Sequence, residues 1–224
     1  VLDGRLIETD VDAEADLRGA HVELVVTGAT STVGQAGAVL ELDALTLDIT
    51  TQGGDVTVED TAGGVALGHI DAVNGDVFLA ATGGPIVDDD VTGDTDITAT
   101  NLTLVSTHGV GTSANPIDTA VSRFEGLVGT GGIVIANDGS LTLGRTTSDL
   151  EGQRAGAGDI SIQALGSLTV LEEVAGGTNV TLAATGSVTV GAQVSTTGAG
   201  NVLIDSSGGG ITMTPGGIVT AQSG

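Results

Sequence analysis

Gly53–Asp60 reads GGDVTVED, and Asn74–Thr82 reads NGDVFLAAT. In both phrases apolar side chains alternate with small polar ones, the period-two pattern of a strand with one buried face. The phrase returns as GDISIQAL from Gly158, TNVTLAAT from Thr178 and GNVLIDSS from Gly200. Asp55 to Asp76, Asp159 to Asn179 and Asn179 to Asn201 are each separated by 20–22 residues, a solenoid-scale period. A second short strand signal follows, as in Val65-Ala66-Leu67, Leu168-Thr169-Val170, Val188-Thr189-Val190 and Ile211-Thr212-Met213.

A longer repeat overlies the short one. GGDVTVEDTAGGVALG from Gly53 aligns with TGGIVIANDGSLTLG from Thr130 at an offset of about 77 residues, and GDVFLAATGGPIVDDDV from Gly75 aligns with GDISIQALGSLTVLEEV from Gly158 at about 83. The expectation is one β-solenoid over 1–224, made of nearly three modules of about 80 residues (roughly 1–84, 85–167 and 168–224). The ends fall inside modules, as in a segment of a longer array. Short strands at this spacing without helical crossovers predict an all-β parallel β-helix of 20–22 residues per coil. About ten coils at the inter-strand spacing of about 4.8 Å would stack to roughly 50 Å. A β-sandwich is the competing fold, but its hairpins repeat every 8–12 residues or so and hairpin turns are few here.

Composition fits a narrow stacked core. Of 224 residues 38 are Gly and only 2 are Phe, with no Trp, Tyr or Cys, yet 40% are hydrophobic. Val, Ile, Leu and Ala would fill the interior, and Gly, Asn and Asp would turn the corners. One segment departs from this pattern. In GTSANPIDTAVSRFEG, Gly111–Gly126, Asn115 suits a cap, Pro116 a first helical position and Asp118 the positive end of a helix. Ile117, Val121 and Phe124 share a helical face, so a short helical insertion is expected near 116–125.

The net charge of −24 excludes nucleic acid as a partner, because no basic patch is available to neutralise phosphates. It also opposes an anionic membrane surface, and no apolar run approaches the roughly 20 residues of a membrane helix. The opening VLDGRLIETD carries no signal-peptide pattern. With no cysteine there is neither a disulfide nor a thiolate metal site. With no lysine, no intrachain isopeptide crosslink can form.

Candidate chemistry is sparse. Asp88-Asp89-Asp90, Asp94 and Asp96 form an acidic cluster, with Glu172-Glu173 at the equivalent place in the next module. Such oxygen ligands suit calcium, although neither the EF-hand nor the glycine-rich calcium repeat is present. The alternative is a solvated acidic turn that keeps a rod soluble. His69 and Asp71 could orient a base, but His21, His69 and His108 lack a nucleophile motif and are expected to be turn or surface residues. Carboxylate pairs without aromatic platforms make a poor glycosidase, and no enzyme is expected. Gly53-Gly54, Gly131-Gly132 and Gly176-Gly177 read as turns rather than phosphate loops. Thr142 and Thr181 hint at an outward threonine ladder, not regular over enough coils for a flat array. No catalytic, cofactor-binding or metal residue is assigned.

The GDVxLxATGxxxV units and GVGTSANPIDTAVSRFEG resemble the repeats of giant bacterial surface proteins of the filamentous haemagglutinin-like type, over most of the chain from about Gly53. The resemblance implies a right-handed parallel β-helix, secretion or cell-surface display, and a role in adhesion or as a stalk. It carries no catalytic residues. The expected partners are neighbouring repeats of the same long chain, with lateral or end-to-end self-association and no membrane insertion. A calcium- or glycan-binding module on the same solenoid is the alternative.

Overall fold

A computed structural model describes residues 2–3, 5–7, 14–28, 30–146 and 150–223. They form an all-β parallel solenoid of about nine turns, roughly 22 residues each, as the repeat period predicts. The strands pair in parallel, and the isolated bridge Gln35–Ala38 is the antiparallel exception among the described residues. A hairpin-built sandwich is thereby excluded.

The later coils each contain three strands. Ile160–Ala164, Leu168–Val170 and Val174–Gly176 are followed by Val180–Ala184, Val188–Val190 and Gln193–Ala199. Each strand pairs with the one a coil later, so Ile160 sits on Val180, Leu168 on Val188 and Val174 on Val194. All six of these side chains are fully buried. At about 1.5–3 kcal/mol per buried aliphatic side chain, these columns supply the main driving force for stacking. In the earlier coils, strands run around the corners. Val65–Ala81 is one such strand, and its pairing with Ile97–Ser106 shifts register between Ala72 and Asp76.

Close coil-on-coil contact explains the glycines better than backbone freedom does. A Cβ at Gly54 would lie 1.6 Å from the Ser31 carbonyl oxygen of the preceding coil.

The expected helix near 116–125 is not formed. Ile117–Ala120 and Arg123–Val128 are strands, hydrogen-bonded to the coils on both sides: Ile97 faces Thr119, Ile135 faces Ile117 and Asn101 faces Arg123. A helix would forfeit both ladders, and the β-branched Ile117, Thr119 and Val121 already favour strand. Asn115-Pro116 closes a turn instead of capping a helix, with Thr112 and Asn115 exchanging backbone bonds of 2.8 and 3.2 Å. The two aromatics separate. Phe124 lies wholly inside, over the space left by Gly126, whose Cβ would meet its ring at 2.8 Å. Phe78 faces outward and is half-buried.

Candidate functional site

Most buried polar groups hold one coil to the next. Asp60 accepts bonds from the backbone N–H of Ala44 and Gly64, each at 3.1 Å. Asn137 Oδ1 accepts from Val121 N–H at 3.0 Å and from the Thr119 hydroxyl at 2.9 Å. Asp60 and Asn137 stand 77 residues apart, and each bonds a backbone nitrogen 16 residues earlier. Burial pushes the Asp60 carboxyl up, against the lowering effect of its backbone donors.

One group does not serve stacking alone. Asp88 ends the strand Ile86–Asp88, Asp96 precedes Ile97–Ser106, and Asp118 lies in Ile117–Ala120. One carboxylate oxygen from each lies within 4.8 Å of the other two. Asp96 is 4% exposed and Asp88 9%, while Asp118 is half-buried. Asp96 Oδ2 accepts from Asp118 N–H at 2.7 Å, and Asp88 Oδ1 from Asp90 N–H at 2.9 Å. No ion pair reaches the three carboxylates among the described residues. Burial, reinforced by the charges of Asp88, Asp118 and Asp90, pushes Asp96 up to about 7, despite the Asp118 N–H. Burial, Asp88 and Asp90 raise Asp118 as well. A cavity of about 310 Å³ adjoins the group and is lined by Asp118, Thr119, Asn137 and Asp138. Chemically, three converging oxygens suit either a shared proton or a hard divalent cation.

The sequence cluster is therefore split. Asp88 and Asp96 turn inward, while Asp89, Asp90 and Asp94 are exposed. Asp90 is lowered by the backbone and hydroxyl bonds of Thr92. Asp89 is raised by burial and by Asp90, Asp48 and Asp88. Glu172 lies within hydrogen-bond reach of the buried Glu125 and is raised by burial and that contact, with Arg145 opposing. Glu173 bonds Arg154 at 2.7 Å. Asp118 lies outside the acidic run in sequence, at a position that also suits a helix start. The coil period places it one turn above Asp96, as the Ile97–Thr119 pairing shows.

His69 Nδ1 faces the Thr95 carbonyl at 3.2 Å, and Nε2 is 4.0 Å from Asp71. His21 meets Asp48 at 3.4 Å, and His108 contacts Thr107 beside it. The carbonyl and carboxylate at His69 orient its ring without offering a nucleophile. Thr142, Thr169, Thr189 and Thr212 fall in register over four coils, as a single outward rank on three-residue strands.

These features define a parallel β-solenoid repeat protein. Comparison with protein-family models, curated proteins and solved structures found no match.

Proposed function

We propose that the chain is a structural rod, a stalk or filament-forming repeat segment of a large secreted or cell-surface adhesin-like protein of the filamentous haemagglutinin-like type. The observation that carries this reading is how the buried polar groups are used. Asp60 and Asn137 each accept a backbone N–H from a neighbouring coil and so fasten one coil to another. The apolar columns likewise run from coil to coil. A uniform stack of about nine turns at about 4.8 Å each is suited to carrying load and spanning distance. Pulling single molecules through their two ends tests it. The expected trace shows stepwise release of coils of about 22 residues under sustained force. Saturable binding of the segment to a glycan array, or cleavage of a polysaccharide, would replace the rod with a binding module or an enzyme.

A second reading is favoured by the convergence of Asp88, Asp96 and Asp118 within 4.8 Å. A calcium ion held there would neutralise buried charge and pin three successive strands together. Calcium should then raise the melting temperature at pH 8, EDTA should reverse the rise, and Asp118→Ala should abolish it. An unchanged midpoint in calcium sinks this second reading and leaves the rod intact.

A further inference from the structure

Glu125 and Glu172 meet across a glycine. Leu143 pairs with Phe124, Gly144 N–H donates to the Phe124 carbonyl at 2.9 Å, and Leu171 N–H donates to the Leu143 carbonyl at 3.0 Å. Gly144 therefore lies between Glu125 in the coil below and Glu172 in the coil above. Its missing side chain leaves the space that Glu172 fills, since a Cβ there would lie 2.6 Å from Glu172 Cβ and 2.9 Å from its Cδ. Gly144 (φ 98°) and Arg145 (φ 58°) are consecutive left-handed residues, and Arg145 is the only such non-glycine among the described residues. A conformation of this kind persists where its surroundings hold it. Here it turns the Arg145 N–H onto the Glu172 carboxylate.

The same arrangement occurs one module earlier. Asp48, Gly68 and Asp89 stand 77, 76 and 83 residues before Glu125, Gly144 and Glu172, the offsets of the long repeat. A Cβ at Gly68 would lie 2.6 Å from Asp48 Oδ1, so an acidic side chain fills the glycine gap there too. The two copies dispose of charge differently. In the first, His21 Nε2 stands 3.4 Å from Asp48, and Asp89 is exposed to water. In the second, Glu125 is 1% exposed, and Glu172 Oε2 is buried without a hydrogen-bond partner. The Thr146 hydroxyl donates to Glu125, and Thr103 Oγ1 lies 3.1 Å from Thr146 Oγ1. The charged groups around the pair are Arg145, whose cation favours ionised Glu172, Arg123 on the Glu125 strand, and Glu173, which Arg154 bonds at 2.7 Å. Two carboxyl groups in hydrogen-bond contact need a proton between them, because like charges this close resist ionising together.

We propose that Glu125 and Glu172 share one proton across Gly144, and that this proton is a clasp between their two coils that opens as pH rises. With the proton in place, one carboxyl donates to the other carboxylate. Its loss leaves two like charges in a site poor in water, so the coils part locally while the aliphatic columns hold the stack. Burial and the Glu125 contact raise the Glu172 carboxyl above its ordinary value of 4.5. The stabilisation is therefore whole below that value and is lost as pH rises through the folded one. This inference goes beyond the rod reading and stands without it.

Carboxyl carbon NMR of the intact chain, labelled at glutamate and assigned through each residue's own backbone, tests the shared proton. The Glu172 signal should titrate above the ordinary glutamate range and move back toward it in Glu125→Gln. Amide hydrogen exchange tests the clasp. In Glu172→Gln the side-chain amide donates to Glu125 at every pH. Gly144 and Leu171 should then exchange at least about tenfold more slowly than in the parent at pH 8, and at the parent's rate at pH 4. A Glu172 signal in the ordinary range, or one unmoved by Glu125→Gln, overturns the proposal. So does equal exchange of Gly144 and Leu171 in parent and Glu172→Gln at pH 8.

Discussion

Neutralising Asp96 should stabilise the protein, by an amount that grows as pH rises from about 4 to about 7. Asp96 is 4% exposed, and its carboxyl is pushed from 3.8 up to about 7, chiefly by burial. The folded form therefore holds its proton more tightly than the unfolded chain does. The stability this provides is complete below about pH 3.8, falls as pH rises, and is lost once pH passes about 7. The interval between the two values corresponds to a loss on the order of 4 kcal/mol. For a chain of this size that is a drop of about 10 °C in melting temperature. Asp96→Asn retains an oxygen to accept the Asp118 N–H but never ionises. Thermal melts in EDTA should place the variant about 10 °C above the parent at pH 8 and within about 2 °C of it at pH 4. Some slope should persist in the variant, because Asp60, Asp89, Asp118 and Glu172 are raised too. Coincident melts at pH 8 would refute the argument that burial and like charges penalise the ionised form of this carboxyl.

Two further outcomes test the packing. Gly54→Ala places a methyl group 1.6 Å from a backbone oxygen and should cost at least about 3 kcal/mol in urea unfolding. At Gly37 (φ +83°) nothing lies within 4 Å, so Gly37→Ala should cost only the backbone strain, about 1 kcal/mol. Phe124→Ala empties the largest fully buried position and should cost about 3–5 kcal/mol by the same measurement, whereas Phe78→Ala on the outer surface should cost under half as much. Equal losses at the two phenylalanines would falsify the assignment of inward and outward faces.

Much of the architecture was legible because parallel stacking turns a spatial rule into a sequence rule. A residue and its neighbour one coil away sit in the same column, so Val56 and Val77, or Ile160 and Val180, must both be small aliphatics. The segment around Pro116 misled because Ile117, Val121 and Phe124 fit a helical face as well as they fit three inward positions around a turn. Hydrogen bonding from both neighbouring coils decided between these options, and local spacing does not encode it. The site was half legible for a related reason. Asp88 and Asp96 stood out as neighbours in an acidic run, whereas Asp118 joined them through a 22-residue step.

The sequence alone determined the repeating strand and the aliphatic core, because alternation and side-chain size are properties of the chain itself. Tertiary structure alone decided which polar residues face inward. Burial separates Asp96 from exposed Asp94 two residues earlier, and Asp60 and Asn137 from the acids and amides around them.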